Sequence, residues 1–405
     1  MSDAHRFTSE QKLPDGWRHI ALGEVCRLVN GDAYNETDWS RSGLPIIRIQ
    51  NLNDRAKPFN YWSGSLDGRI AVNEGDVLLA WSGTPGTSFG AHMWRGPRGV
   101  LNQHIFRVDI DTARVYAPWA VIAINGQLDQ MIGKAHGGVG LRHVTKGEVE
   151  RLQVLLPPIE EQKRIAAILN EQMKVVERAR AAMETQLRAA NLLRSAYLRL
   201  VFDNTRSQDW PKHTVGSLSS LIIDGPHVTP EYVTEGIPFL TVRNIVKRRI
   251  DLSEVSYISQ DNHRTFSRRG RAEPGDILYT KDGTLGVPCL VDIDRDFSFF
   301  VSVALIKPIR DKICPAFLAL ALDSPDVREQ VQLMGAGAGL KHMVLKSIRA
   351  LQVPVPKIED QKRIAAEFQS REQVTGEIKA ALTEQLNEIK KAPLSLLRRA
   401  FNGEL

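Results

Sequence analysis

The segment "LLPPIEEQKRIAAIL" at residues 155–169 returns almost unchanged as "PVPKIEDQKRIAAEF" at residues 354–368. In both copies prolines are followed by acidic residues and then by a run rich in Ala, Glu, Lys and Arg. This order is typical of the start of a helix, because proline fits the first helical turn and acidic groups favour its positive end. Repetition at a distance of 199 residues, measured from Gln162 to Gln361, predicts a chain built from two copies of one unit.

Three other pairs of segments repeat in the same order. They agree at glycines, prolines and short apolar runs, and they differ in much of the polar sequence between. The pairs are "GLPIIRIQNL" (43–52) with "GIPFLTVRNI" (236–245), "NEGDVLLAWSGTPG" (73–86) with "EPGDILYTKDGTLG" (273–286), and "GVGLRHV" (138–144) with "GAGLKHM" (337–343). Since glycine, proline and apolar runs mark turns and core strands, we expect one scaffold that presents two different surfaces.

Each unit has two parts of different composition. The first contains short β-type runs separated by turn residues, and the second is almost free of glycine and proline, as in a long helix. We therefore predict an α+β fold of two tandem β-rich α/β domains, each followed by a long helix. The predicted boundaries are 1–156 and 204–355 for the domains, and 157–203 and 356–405 for the helical segments.

Apolar residues recur at heptad spacing along both predicted helices, which favours a coiled coil between them. The residues predicted at this interface are Ile165, Leu169, Val176, Met183, Leu193, Ile364, Phe368, Ile378, Leu382 and Ile389. An alternative remains open, in which each helix only packs on its own domain. Pro393 is expected to kink or break the second helix.

Bulk composition narrows the class of protein. The chain has 405 residues, 42% of them hydrophobic and 25% charged, a net charge of +6, and three cysteines without a C-x-x-C pair. These values indicate a folded protein of the cytoplasm, with no transmembrane segment, no disulfide framework and no structural zinc. From Arg243 to Arg271 eight basic residues stand against three acidic ones, a local charge of +5 that favours an acidic partner such as DNA.

The motifs of common catalytic sites are missing from the sequence. "GAGAG" at 335–339 follows a helix-like segment and not the strand that a dinucleotide loop requires, and "GQLDQMIGK" at 126–134 lacks the spacing of a phosphate-binding loop. The histidines His143 and His342 occupy matched positions, but single histidines beside glycine-rich turns are more often structural than catalytic. We therefore predict that the chain has no catalytic residues and binds no metal.

Two variable β-rich units, each followed by "IEEQKRIA" or "IEDQKRIA" and a long helix, with "SLLRRAFNGEL" at the end of the chain, resemble the DNA specificity subunit of type I restriction-modification systems. The resemblance covers essentially the whole chain. It implies two target recognition domains, each reading one half of a bipartite, asymmetric sequence in double-stranded DNA. It also implies an antiparallel pair of helices with pseudo-two-fold symmetry.

The resemblance further implies partners and cofactors. The helices would form a spacer that docks two methyltransferase subunits and, where the complex also cleaves DNA, two restriction subunits. S-adenosylmethionine, ATP and Mg²⁺ would then be bound by the partner subunits and none of them by this chain. The chain itself would be a non-catalytic subunit of a prokaryotic, cytoplasmic complex.

Candidate DNA-contacting residues are polar side chains in loops beside the predicted strands, because arginine reads guanine, amides read adenine, and basic groups contact phosphates. In the first unit they are Tyr34, Asn35, Gln50, Asn51, Ser82, Thr84, Gln103 and His104. In the second they are His227, Thr229, Arg243, Asn244, Lys247, Arg248, Arg249, Arg268, Arg269, Lys281 and Asp282. Two other functions stay open at this point: a stand-alone coiled-coil DNA-binding regulator, and an enzyme with an unrecognised site.

Overall fold

A computed structural model describes residues 13–54, 56–65, 68–81, 90–135, 145–202, 209–335 and 342–405. The chain divides into two compact units. Unit 1 consists of Met1–Met183 together with Gln385–Leu405, and unit 2 consists of Glu184–Glu384. Both divisions of the chain fall inside long helices, so each unit contains parts of both helices.

Unit 1 is built from two four-stranded sheets and a separate strand pair. Its strands are β1 (Arg18–Ala21), β2 (Cys26–Asn30), β3 (Leu44–Ile47), β4 (Asn60–Trp62), β5 (Ala71–Val72), β6 (Val77–Ala80), β7 (Gly90–Met93), β8 (Gly99–Leu101), β9 (Ile105–Ile110) and β10 (Gln153–Leu156). The sheet orders are β2-β9-β6-β7 and β4-β3-β8-β5, and β1 pairs with β10. The β3–β8 pair is parallel and the others are antiparallel. The helices are α1 (Ile49–Asn53), α2 (Ala117–Ala135), α3 (Lys146–Glu150) and the start of α4 (Ile159–Val201).

Unit 2 repeats the first sheet and the separate strand pair of unit 1, and its second sheet shares three strands, equivalent to β4-β3-β8, but has a different edge strand. Its strands are β11 (Lys212–Thr214), β12 (Ser219–Asp224), β13 (Tyr232–Val233), β14 (Ile237–Leu240), β15 (Ser256–Ile258), β16 (Ile277–Thr280), β17 (Pro288–Leu290), β18 (Ser298–Phe299), β19 (Val303–Pro308) and β20 (Gln352–Pro354). The sheet orders are β12-β19-β16-β17 and β13-β15-β14-β18, with β11 paired to β20. The helices are α5 (Val242–Ile245), α6 (Gln260–Phe266), α7 (Pro315–Leu322), α8 (Pro325–Gly335), α9 (Leu345–Ala350) and α10 (Ile358–Phe401).

The central strands β6 and β16 are buried on both faces because most of their side chains are apolar. All four residues of β6 and all four of β16 are buried. Two glycines at the ends of β2 and β12 allow the chain to approach a neighbouring strand end closely. A Cβ atom on Gly31 would lie 2.3 Å from the carbonyl oxygen of Leu101, and one on Gly225 would lie 2.0 Å from that of Phe299. The scaffold of both units therefore requires glycine at this position.

The core of unit 1 contains the C-terminal end of the chain. Phe401, at the end of α10, packs with its ring centroid 5.9 Å from that of Trp119 on α2. Trp119 also meets Trp17 edge-on at 6.0 Å, and Ile165 from the start of α4 belongs to the same buried cluster. In unit 1 the start of one long helix thus packs with the end of the other, and Arg164 donates a hydrogen bond to the backbone carbonyl of Leu405.

The core of unit 2 receives the C-terminal end of α4 and the start of α10. Tyr197 lies with its ring centroid 5.5 Å from that of Phe368, and the guanidinium of Arg371 lies 4.9 Å from the centroid of the Tyr197 ring. Arg194, one helical turn before Tyr197, bonds Glu372, one turn after Phe368. Residue numbers increase along α4 from Arg194 to Tyr197, while those of their partners on α10 decrease from Glu372 to Phe368. The two helices are therefore antiparallel in unit 2.

The predicted α+β class, with two β-rich units and two long antiparallel helices, is confirmed. A kink or a break was expected at Pro393; helix α10 does not break there, but continues through Pro393 and ends at Phe401. The predicted domain boundaries stay predictions, although α4 and α10 begin at equivalent positions, Ile159 and Ile358. Among the described helices, none is long and apolar enough to cross a membrane.

Candidate nucleic-acid interface

The repeated motif anchors each long helix to its own domain. Gln162 is fully buried, accepts a bond from the backbone N–H of Tyr116 (2.8 Å) and donates to the carbonyls of Pro157 (2.8 Å) and Arg114 (2.9 Å). Gln361 repeats this arrangement, accepting from the N–H of Cys314 and donating to the carbonyl of Pro356, each at 2.8 Å. The glutamine of each copy therefore fixes the helix start beside α2 or α7, and its side chain is not available to another molecule.

Two predicted base-reading residues, Asn51 and Asn244, lie at equivalent positions inside the scaffold. Asn51 is 1% exposed and Asn244 is 6% exposed. The Asn51 amide accepts from the N–H of Arg48 (3.1 Å) and donates to the carbonyl of Lys57 (3.2 Å). The Asn244 amide accepts from the N–H of Thr241 (3.0 Å) and donates to the carbonyl of Asp251 (3.0 Å). Both amides are engaged in closing the loop that follows a central strand.

The residue directly after β6 in unit 1 and after β16 in unit 2 occupies the same place in each scaffold. The N–H of Trp81 lies 3.4 Å from the carbonyl oxygen of His104, and the N–H of Lys281 lies 3.0 Å from that of Ser302. In both units this carbonyl immediately precedes the central strand, β9 or β19. The backbone is repeated while the side chains change from aromatic to charged.

In unit 2, Lys281 at this position belongs to a cluster of charged side chains that we call the unit 2 strand-end site. It comprises His227, Arg269, Lys281, Asp282 and His342 around Asp224. The carboxylate of Asp224, at the end of β12, is 3.5 Å from His227 Nε2, 3.6 Å from Arg269 and 3.6 Å from Lys281. The Lys281 ammonium is also 3.6 Å from Asp282, and Asp282 pairs with His342.

Burial in this site is graded from its base to its rim. Lys281 is 1% exposed and the Asp224 side chain is 9% exposed, whereas the side chains of Arg269 and His227 are 59% and 70% exposed. A buried ammonium is tolerable only when it is paired, and Asp224 and Asp282 provide that pairing. The structure therefore brings together four sequence-predicted residues, His227, Arg269, Lys281 and Asp282. The exposed side chains of His227 and Arg269 lie beside the buried Lys281–Asp224 ion pair.

In unit 1, Trp81 and its neighbours form the unit 1 strand-end site, which comprises Trp81, Gln103 and His104. The rings of Trp81 and His104 have centroids 5.6 Å apart, and Gln103 Nε2 lies 3.4 Å from His104 Nε2. The side chain of Gln103 is exposed, and its backbone N–H donates to the backbone carbonyl of Asp32 at 2.8 Å. The structure thus brings Gln103 and His104 together, in a site made of an amide and aromatic rings.

The remaining candidates are dispersed. Tyr34 packs against Trp62, with ring centroids 5.7 Å apart, and is half-buried. Lys247 is held by Asp251 at 3.0 Å, and hydrogen bonds from Ser253 and Lys247 hold the pKa of that carboxyl below its usual range. Ser82 and Thr84 lie outside the described residues. The other exposed candidates are Asn35, Gln50, Thr229, Arg243, Arg249 and Arg268.

Arg248 takes part in an internal ion-pair network that we call the Asp323 cluster. Its guanidinium forms two bonds with Asp323, at 2.7 and 3.0 Å, and Asp323 is 1% exposed. Arg194 from α4 and Arg328 from α8 bond the same carboxylate at 3.0 and 2.6 Å. Arg248 has a φ of 61°, a strained backbone for a residue with a side chain.

The cluster controls the ionisation of its carboxylate. Burial acts to raise the pKa of Asp323, but the hydrogen bonds and charges of the guanidinium groups outweigh burial and hold this pKa below its ordinary value. Asp323 therefore stays charged and fastens the basic loop of Arg248 to the C-terminal part of α4.

The residues predicted at the helix interface differ in burial. Ile165, Leu169, Ile364 and Phe368 are buried. Val176, Met183, Leu382 and Ile389 are half-buried. Leu193 is 46% exposed and Ile378 is 43% exposed.

Sequence reasoning missed the centres of both charged groups, Asp224 and Asp323. Asp224 directly precedes Gly225, and Gly31 is the counterpart of this glycine in unit 1. Alignment of the two units at these glycines would have indicated that Asp224 lies at a strand end. Asp323 has no such signal, because two of its three partners, Arg194 and Arg248, are distant in sequence. Within the described part of the chain, no group of His, Cys, Asp and Glu residues is arranged to hold a metal ion.

Comparison with known proteins gives matches to one family. The family model described as "Type I restriction modification DNA specificity domain" matches residues 14–181. The type I restriction enzyme EcoBI specificity subunit of Escherichia coli is 23% identical, across 97% of this chain and 87% of that protein. The type I restriction enzyme MjaVIII specificity subunit of Methanocaldococcus jannaschii is 21% identical, across 95% of this chain and 93% of that protein.

Two solved structures share the fold over almost the whole chain. A chain from a study of complex assembly and conformational transition of the type I R-M system has a TM-score of 0.78 and 20% identity, with coverage of 98% of this chain and 100% of that one. The HsdS subunit from Thermoanaerobacter tengcongensis has a TM-score of 0.63 and 20% identity, with coverage of 98% and 99%.

Proposed function

We propose that the chain is a DNA specificity subunit of a type I restriction-modification system, and that it reads a bipartite, asymmetric DNA sequence for a multisubunit methyltransferase. The observation that carries this proposal is the match along at least 95% of the chain to relatives named as specificity subunits. Unit 1 reads one half of the target and unit 2 reads the other.

The two strand-end sites support a target with two unlike halves. Both are built on the same strand order and the same close turn, yet Trp81 stands in one where Lys281 stands in the other. Amide, guanidinium and carboxylate groups recognise different base edges. A scaffold that repeats while its strand-end side chains change is what two different half-sites require.

Exposed apolar side chains on the long helices support a scaffolding role. In unit 2, Leu200 and Val374 are each 51% exposed, and Leu193 and Ile378 line the same open groove between α4 and α10. Clustered exposed apolar residues are typical of protein interfaces. In the proposed complex, methyltransferase subunits dock on the helices, restriction subunits join where the complex also cleaves, and S-adenosylmethionine, ATP and Mg²⁺ belong to these partners.

The test is co-expression of the chain with candidate methyltransferase subunits, followed by purification and a DNA methylation assay. We expect a stable complex that methylates DNA at a two-part sequence with an unread spacer, and no methylation by the chain alone with S-adenosylmethionine. Recognition of a single continuous sequence would contradict the proposal. So would methylation or cleavage by the purified chain on its own.

A further inference from the structure

The unit 2 strand-end site has the donors and acceptors that a particular base pair requires. A guanidinium donates two parallel bonds to the O6 and N7 atoms of guanine, and a carboxylate accepts from the N4 amine of cytosine. Arg269 provides the first group at the exposed rim, and Asp282, with its side chain 30% exposed, provides the second. Resting on the proposed function, we infer that this site reads a G·C pair in the half-site of unit 2, with Arg269 bonding the guanine.

The buried base of the site keeps Arg269 in place. Asp224 lies 3.6 Å from Arg269 and is held on its other side by Lys281, also at 3.6 Å. Lys281 is fixed in turn because its own backbone N–H and carbonyl bond Ser302 and Met343 at 3.0 and 2.8 Å. An arginine oriented before binding loses less conformational freedom when it binds. Asp224 and Lys281 are therefore positioning residues, and Arg269 makes the contact.

The location of Arg269 also favours a DNA-facing role. It lies on a short 3-10 helix, Ser267–Arg269, within the stretch from Arg243 to Arg271 that carries a local charge of +5. Positive charge around the site draws in the phosphate backbone, while the buried carboxylate of Asp224 is paired with Arg269 and Lys281. Phosphate attraction thus comes from the surrounding residues, and sequence discrimination comes from the site.

The neighbouring Arg268 provides a matched control. It is exposed and lies on the same 3-10 helix, whereas the ion pairs of Asp224 that the structure describes are with His227, Arg269 and Lys281. Gln103 in the unit 1 strand-end site provides a second comparison, because it should act on the other half of the target.

The experiment maps methylated bases in cells that carry the complete complex with the wild-type chain or with Arg269→Gln, Arg269→Lys, Arg268→Gln or Gln103→Ala. For both Arg269 variants we expect one G·C position, in one half-site only, to lose about 5- to 150-fold of its discrimination against other base pairs. Lysine cannot replace the two-pronged contact. Arg268→Gln should leave the sequence preference unchanged, and Gln103→Ala should relax the opposite half.

Several results would overturn the inference. One is a uniform loss of methylation in both Arg269 variants with an unchanged sequence preference, which would mark Arg269 as a phosphate contact. Others are relaxation at an A·T position, or a change in the same half as Gln103→Ala. Failure of the wild-type complex to yield any two-part sequence would instead reject the proposed function. Arg269→Lys, which keeps the charge, is the test to use if Arg269→Gln does not assemble.

Discussion

At the scale of single residues, the repeated glutamine explains why the motif is preserved in both halves of the chain. Gln162 and Gln361 lie at the starts of α4 and α10, and each side chain bonds backbone groups of its own unit. A buried amide in such a place is costly to lose, since unpaired polar groups are left behind. The neighbouring charges of the motif form ion pairs such as the exposed Lys163–Glu160 pair at 2.8 Å.

We predict that Gln162→Leu lowers the free energy of unfolding of unit 1 by about 1–3 kcal/mol for each backbone group left unpaired. Gln361→Leu should do the same in unit 2. Lys163→Ala, in the same motif, should change stability by less than about 1 kcal/mol, because exposed ion pairs contribute little. Urea denaturation followed by circular dichroism measures these differences. Equal effects of Gln162→Leu and Lys163→Ala would contradict the assignment.

Asp323 predicts a dependence of stability on pH. Its pKa in the folded chain is below the unfolded value of about 3.9. The cluster therefore stabilises unit 2 at pH values above about 4, and this contribution is lost as the pH falls through the folded pKa. Asp323→Asn should destabilise unit 2 at pH 7 and should flatten the loss of stability below about pH 4.

The matched control is Asp326→Asn, an acidic residue in the first turn of α8 that is not a member of the cluster. Its urea midpoint at neutral pH should fall far less than that of Asp323→Asn. An Asp323→Asn variant with the wild-type midpoint at pH 7 would show that the cluster does not hold unit 2 together. A preserved slope with pH would show that another group is responsible.

Residue roles were predictable from the sequence only where position along the chain determines them. Lys281 and Asp282 follow a strongly apolar run, so their place at a strand end could be inferred, and the structure puts them there. Asn51 and Asn244 follow strands as well, but whether an amide points outward or closes its own loop depends on φ and ψ angles that a sequence pattern does not specify. The Asp323 cluster joins residues 194, 248 and 328, and no local pattern contains that information.

At the scale of secondary-structure elements, the long helices could be predicted closely. Composition and prolines located their starts, because propensity and the first helical turn are local properties. Helix α10 nevertheless continues through Pro393. A proline removes one hydrogen bond and crowds the carbonyl four residues earlier, and packing of the following turns, which end at the buried Phe401, compensates for that loss.

The ends of these helices belong to different units from their starts, which gives a prediction about stability. Phe401→Ala should lower the stability of unit 1 by about 3–5 kcal/mol, because the ring fills a buried position against Trp119. Tyr197→Ala, on the helix that starts in unit 1, should instead destabilise unit 2, where it packs on Phe368. Both changes remove an aromatic ring, so they are matched in size.

Tryptophan fluorescence separates the two outcomes. Trp210 is the only one of the seven tryptophans in unit 2. In a Trp210→Phe background the remaining signal therefore reports unit 1 alone. Phe401→Ala should shift that signal to lower urea concentration, and Tyr197→Ala should leave it less affected. The reverse order would contradict the placement of the helix ends.

At the scale of the whole molecule, the chain contains two copies of one scaffold, with different residues at the strand ends. The agreement of β2-β9-β6-β7 with β12-β19-β16-β17 shows the common architecture, and Trp81 against Lys281 shows the divergence. Duplication was evident from the sequence because glycines and prolines mark turns in any context. The target sequence was not, because base recognition depends on the joint geometry of several side chains and the DNA.

In the proposed function each unit reads its own half of the target. The most direct test replaces residues 13–156 with residues 209–355, so that both units carry the unit 2 domain, and maps methylated bases in cells expressing the complete complex. We expect the chimera to recognise the same half-site twice, while the wild-type complex recognises two different half-sites. A chimera that keeps the wild-type sequence, or that acquires a half-site found in neither unit, would contradict the proposal.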